Sequence, residues 1–193
     1  MRRGTLKKGK NKVAGRYGAL LRGINVGTAK RVAMSELRAL VEGLGYNEVR
    51  TLLNSGNVVF STRKADPREA VLRIERALEA KLGVSVRVTV ISAEELADVV
   101  AGNPLGKVAD NPSRLLVGIL GDPADRVKLA GIAKQDWGEE RIELGVARSV
   151  YMWMPQGVIK SKLNAAVSKA LGDGVTSRNW ATMLKLKEMT EEG

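Results

Sequence analysis

Two short loops carry residue types suited to holding an anion. Arg22-Gly23-Ile24-Asn25-Val26-Gly27 and Asn54-Ser55-Gly56-Asn57 combine glycines, short polar side chains and one fixed cation. Glycine enters positive φ at no steric cost, so successive backbone N–H groups can converge on one acceptor. The candidate ligand-binding residues here are Arg22, Gly23, Asn25, Gly27, Asn54, Ser55, Gly56 and Asn57, and the ligand they suit bears phosphate or carboxylate. Neither loop is a Walker loop or a GxGxxG fingerprint. The same side chains suit a second role, in which Arg22, Asn25 and Asn57 bond the loops to one another and the glycines only make turns.

A second polar cluster, Arg178-Asn179-Trp180, is followed by Thr182 and Lys185. Here the indole could stack a base or sugar while the cations hold phosphate. In the alternative, Trp180 packs into a junction and Arg178 and Asn179 satisfy buried backbone. Lys162 reads as a phosphate contact and Ser161 as a helix cap. Neighbouring helical positions point about 100° apart, so Ser161 and Lys162 do not make a nucleophile pair. Asp122 and Asp125 around Pro123 read as a cap and not as a magnesium pair.

The chain has no Cys and no His. That excludes disulfides, thiol nucleophiles, Ser-His-Asp triads and metal sites built on Cys or His. No catalytic residue, metal or cofactor is assigned; an enzyme on this chain would rely on Asp, Glu, Lys or Tyr. Of 193 residues, 44% are hydrophobic, a composition that supports a real core without metal or disulfide staples. No apolar run approaches the ~20 residues of a membrane-spanning helix, so no membrane association is expected. The net charge is +11, and Arg2, Arg3, Lys7, Lys8, Lys10, Lys12 and Arg16 supply 7 of it with no acid among them. Residues 1–16 therefore read as a disordered basic arm without a secretory h-region.

The elements that must position these groups follow from periodicity and punctuation. Tyr17 to Leu21 predicts a buried strand, and Met34, Leu37, Leu40, Val41 and Leu44 a helix stopped by Gly45. Val49 to Leu53 and Val58 to Ser61 predict a hairpin. Asp66-Pro67 with Glu69 opens a helix that Gly83 ends, and Val84 to Ile91 predicts a strand. The order is β-α-β-β-α-β. After a connecting helix capped by Ser92 the order recurs. Leu115 to Leu120 is a strand, Asp122 to about Gln135 a helix, and Arg141 to Leu144 with Val150 to Met154 a hairpin. A helix from about Leu163 is stopped by Gly172, Val175 to Trp180 is the last strand, and Met183 to Met189 a short C-terminal helix. The fold class predicted is α+β, two tandem ferredoxin-like subdomains at 17–91 and 113–193 joined by 92–112. In such a unit the loop after the first strand and the turn of the hairpin lie at one end of the sheet. Both glycine loops of the first half should therefore share a rim.

LLRGINVG (Leu20 to Gly27), MSELRALVEGLGY, LLNSGNVVFST (Leu52 to Thr62), SKL (Ser161 to Leu163) and TSRNWATMLKL (Thr176 to Leu186) resemble the bacterial domain of unknown function 1697 family. The resemblance runs from Tyr17 to about Lys187. It implies a cytoplasmic α+β protein of paired ferredoxin-like halves and carries no catalytic residues, because the family has no established activity. Thr28, Ala33 and Ile159 stand where relatives commonly have Gly, Pro and Gly. The function expected is binding of a phosphate-bearing small molecule or a nucleic acid at the glycine loops. Two alternatives stay open: an enzyme using Asp, Glu or Lys, and an interaction protein whose polar motifs lock the halves together. Oligomeric state is not legible.

Overall fold

Asp66 begins the pattern that recurs along the chain: its side chain accepts from the Arg68 amide, Pro67 fills the first helical position, and Gly83 closes the last turn at φ 65°. This gives α2 (Pro67–Leu82), whose buried face is Ala70, Ile74, Ala77 and Leu78. With α1 (Met34–Gly43) it covers one side of a four-stranded sheet made of β1 (Gly15–Leu21), β2 (Asn47–Leu52), β3 (Asn57–Thr62) and β4 (Val88–Ser92). The strand order is β2-β3-β1-β4 and every pairing is antiparallel. These elements belong to a computed structural model that describes residues 14–26, 30–63 and 66–192.

The second half repeats the plan with β5 (Leu115–Leu120), α4 (Arg126–Leu129), β6 (Arg141–Leu144), β7 (Ser149–Trp153), α5 (Lys162–Leu171) and β8 (Val175–Asn179). Its order, β6-β7-β5-β8, is the same and again antiparallel. Each half then ends in a capped helix. Ser92 caps α3 (Ala93–Ala101) and Asn179 caps α6 (Trp180–Glu191). The registers correspond, since Ser92 lies opposite Tyr17 on β1 and Asn179 opposite Leu116 on β5. The two halves are thus β-α-β-β-α-β-α twice over: α3 is the counterpart of α6, not only a connector.

Strand alternation sends side chains to both faces of each sheet. Ala19, Leu21, Val58 and Phe60 face α1 and α2, while Val150, Met152 and Val175 face α4 and α5. The opposite faces meet in a third core: Leu20, Val59 and Ile91 from the first sheet, Val117, Ile119, Tyr151 and Trp153 from the second, with α3 and α6 between. Tyr151 and Trp153, a potential stacking platform had they been exposed, are buried there. Burial raises the Tyr151 phenol above its ordinary value of 10, and its hydroxyl donates to the Val99 carbonyl at 2.5 Å. Burial acts in the same direction on Tyr17 and Tyr46. A phenol whose folded pKa is raised stabilises the fold below the unfolded value and loses that contribution as pH climbs past it. Chemical unfolding at pH 8 to 11 should show stability falling above pH 10, less steeply in Tyr151→Phe, which costs about 1 kcal/mol at neutral pH through the lost hydrogen bond.

Several boundaries differ from the sequence reading. Residues 1–13 of the expected arm lie outside the described residues, while Gly15 and Arg16 already pair with Thr62 and Ser61 in β1. β4 starts at Val88, and Val84 and Val86 are buried without joining the ladder. The helix expected from Asp122 to Gln135 is a 3-10 turn, a four-residue α4 and further turns, because Gly131 interrupts it. The last strand stops at Asn179, so Trp180 belongs to α6. Among the described residues no helix is long and apolar enough to cross a membrane.

Candidate functional site

The first-half loops do meet at one rim. Leu21 donates its amide to the Gly56 carbonyl at 2.8 Å, and the Asn25 side-chain amide donates to the Asn54 carbonyl at 2.8 Å. Gly56 sits at φ 74°, and a Cβ there would come within 2.6 Å of Ile24, so the turn requires glycine. Asn25 also donates to Val32 O and accepts from the Val32 amide, each at 2.9 Å, which fixes the leading loop. That residue, at φ 55°, spends its side chain holding backbone. Ser55 accepts from the fully buried Asn57, whose amide also donates to Leu52 O.

Between the loops, where an anion was expected, sits Arg178. Its Nε donates to Asn57 Oδ1 at 2.5 Å, and Nη2 donates to Leu21 O at 2.7 Å and Ser55 O at 2.9 Å. Nη1 donates to Ser177 O at 2.9 Å. The loops thus turn carbonyls, not amides, toward their common centre, and a cation from the other half fills it. The amides of Arg22 and Asn25 are committed elsewhere, to Arg87 O at 2.9 Å and Lys30 O at 3.1 Å. Burial lowers the Arg178 guanidinium to about 10, still charged at neutral pH, with no carboxylate in contact. Neutral oxygens alone hold it.

The other candidate residues separate. Arg22 crosses to the second half, donating from Nε to Asp173 Oδ1 at 3.1 Å and from Nη1 to Val175 O at 2.5 Å. Thr89 and Thr176 bond at 3.0 Å between them, so β8 is stitched along the edge of the first sheet. Asn179 caps α6 by accepting from the Thr182 amide and hydroxyl. Trp180, the first residue of α6 and not the last of a strand, packs at the border of the central core, as in the alternative in which it fills a junction. Ser161 caps α5 as expected, and Lys162 is exposed beside it, with no contact to the glycine loops. Gly23 takes φ 66° with open space about it. Gly27 lies outside the described residues. Asp122 caps through the Ala124 amide, as read from Pro123. Among the described residues no group of carboxylates is placed to hold a metal ion.

Arg22 nevertheless borders a cavity whose lining does not include Arg178. This cleft of about 860 Å³ is walled by Lys30, Arg31, Arg76 and Arg87 along with Arg22. Its carboxylates are Glu75, Glu79 and Asp173. Glu75 accepts from the Val88 amide at 2.9 Å and lies 3.8 Å from Arg87, and Asp173 is held by Arg22. That leaves the exposed side chains of Lys30, Arg31 and Arg76, none with a polar partner among the described residues, lining the cleft with one uncommitted acid, Glu79. The sequence reading missed these three. Arg76 belongs to a helix face that reads as merely solvated until α2 is placed along the wall of this cleft. Glu36 accepts from the Ala33 amide at 3.3 Å and so places a carboxylate at the positive end of the α1 dipole.

The architecture matches that of a conserved bacterial protein from Streptococcus pneumoniae, with a TM-score of 0.76 over 92% of this chain and 99% of that one. At 23% identity the likeness shows a common fold. None of the curated proteins matches the sequence. The family described as Protein of unknown function (DUF1697) matches residues 15–151, a span that includes both glycine loops, α2 and the Arg148 hairpin but ends before Arg178. The chain belongs to that family, Protein of unknown function (DUF1697).

Proposed function

We propose that this chain binds a phosphate-bearing ligand in the cleft beside the glycine loops, with the signature polar residues as its frame. The observation that carries the reading is the trio Lys30, Arg31 and Arg76, three uncommitted cations on one cavity wall. Unpaired cations gathered against a concave surface repel one another unless an anion joins them, and phosphate oxygens accept from guanidinium at two points at once. Each half is a ferredoxin-like unit, a reading supported by the strand order and antiparallel pairing of both sheets. The site belongs to a cytoplasmic protein, where phosphorylated small molecules are abundant.

Calorimetric titration with sodium pyrophosphate at 50 and 200 mM salt tests this. Affinity should fall with salt, and Arg31→Ala and Arg76→Ala should each weaken it about tenfold, the loss of one charge-assisted hydrogen bond, with melting temperature unchanged. Pyrophosphate that fails to bind at millimolar concentration, or binds both variants as tightly as the parent, removes the reading.

A second reading has its own support. Arg178, Arg22 and Arg148 all run between the halves, the last donating to both oxygens of Glu95 at 2.7 and 3.0 Å and to Val90 O at 2.5 Å. In this reading the motifs serve assembly of the halves and no ligand is involved. The absence of any pyrophosphate binding would favour it.

A further inference from the structure

The basic cleft does not end at Arg87. Beyond it a second cavity of about 620 Å³ continues between α2 and the segment after β5, and the two share Leu72, Glu75, Arg87 and Asp173 as walls. The trough so formed is chemically graded. One end holds Lys30, Arg31 and Arg76. The middle is Leu72, 51% exposed, with Val71 and Val88 near it. The far end presents Pro123 between Asp122 and Asp125 of the second half, with Arg68 and Arg148 also on its walls. Arg148 is bonded to Glu95 and Asp125 to Lys128, which leaves Asp122 without a cationic partner among the described residues.

Each part constrains what can lie there. The cations suit phosphate, and an aliphatic floor rewards burial of a flat apolar ring. Carboxylates suit hydroxyl and amino donors, and they repel a second phosphate. A nucleic-acid strand carries a charge at every residue and would set a phosphate against Asp122, since Asp125 and Asp173 are already paired with Lys128 and Arg22. A ligand charged at one end only avoids this.

We infer that the trough takes a nucleoside phosphate, its phosphates at Lys30, Arg31 and Arg76, its base over Leu72 and Pro123, and its hydroxyl or amino groups toward Asp122. This inference rests on the phosphate reading above and narrows its ligand class. Leu72 supplies the apolar contact and Asp122 discriminates against polymers. Asp173 stands where the two cavities join, already bonded to Arg22, and marks the boundary between the phosphate end and the nucleoside end.

The test is parallel titration of the full chain with pyrophosphate, ribose 5-phosphate, the four nucleoside diphosphates ADP, GDP, CDP and UDP, and a ten-nucleotide single strand. At least one diphosphate should bind tenfold or more tighter than pyrophosphate and ribose 5-phosphate, and the single strand should bind more weakly than that diphosphate. Leu72→Ser, an uncharged change at a half-exposed position where the fold should tolerate it, should bring the tightest diphosphate's affinity down to within about threefold of pyrophosphate's. If every diphosphate merely equals pyrophosphate, or the strand binds tightest, the nucleoside assignment is overturned while the phosphate reading stands. If neither pyrophosphate nor any diphosphate binds, both fall together.

Discussion

Arg178→Ala should cost about 3 kcal/mol or more of folding stability, the largest effect of any single polar substitution in this chain. The side chain donates to Asn57, Leu21, Ser55 and Ser177. Removing it strands the Asn57 carboxamide oxygen, which is fully buried with its residue, and leaves a space the size of a guanidinium between two loops. Hydrogen bonds from a charged donor contribute roughly 1.5–3 kcal/mol each, and an acceptor left without a partner in the interior carries its own desolvation penalty. Part of this is offset, because Arg178 is itself a desolvated charge with no acid beside it, as its lowered pKa reports. Arg178→Lys should restore little. A single ammonium cannot reach acceptors spread around the planar fork, and it would be buried at comparable cost. The measurement is urea unfolding of the parent and both variants at pH 7. A loss below about 1 kcal/mol for Arg178→Ala would mean that the loops hold their rim by backbone bonds alone.

The expectation of an anion between the loops shows how far side-chain chemistry can be read without coordinates. The types were informative: Arg22, Asn25, Asn57, Arg178 and Asn179 all make several polar contacts. Their direction was not. Both the anion cradle and the loop-to-loop lock use the same residues, and what separates them is whether amides or carbonyls face the common centre. Backbone direction at a turn depends on which partner crosses it, and here the partner comes from 121 residues further along the chain. Non-local pairing of this kind leaves no local pattern. The elements fared better because their signals are local. Asp66-Pro67 and Ser92 followed by Glu95 mark helix starts within four residues, and both helices begin there. Asn179, three residues before Thr182, is the same kind of signal and could have placed the start of α6. It was outweighed by the β-prone run before it. α4 failed in the opposite direction: its capping residues are sound, but Gly131 and the turn anchored by the Trp137 indole on Ile132 O stop the helix after one turn.

The way the two halves pack yields the other large expected effect. A boundary near residue 92 gives two tidy β-α-β-β-α-β units, each with one sheet and two helices. Each sheet, however, has an apolar second face. On the first sheet Leu20, Val59 and Ile91 point away from α1 and α2, and they are covered by α3, by α6 and by side chains of the second sheet. Met183, Leu186 and Met189 of α6 are buried in that layer, and α6 is the last helix of the other half. Its C-terminal end is in turn gripped by the first half, through Arg50 on the Met189 carbonyl and on Glu192. A chain ending at residue 110 would keep α3 but lose α6 and the second sheet, and so would uncover the part of this face that those elements bury. Full burial of one large aliphatic side chain is worth about 1.5–3 kcal/mol. Losing part of the cover from Leu20, Val59, Ile91, Leu96 and Val99 therefore removes several kcal/mol, a large share of the roughly 5–15 kcal/mol that holds a typical domain folded. The fragment 1–110 should keep helical signal in far-ultraviolet dichroism but bind a hydrophobic dye and melt without cooperativity. Mixing it with fragment 111–193 should restore a sharp transition, because the central layer then re-forms. A fragment that unfolds cooperatively on its own would instead support independent domains, with the arginine bridges as a late docking step. It would also place the trough at a movable junction, so that ligand binding would have to draw the halves together before the basic and acidic ends could act on one molecule.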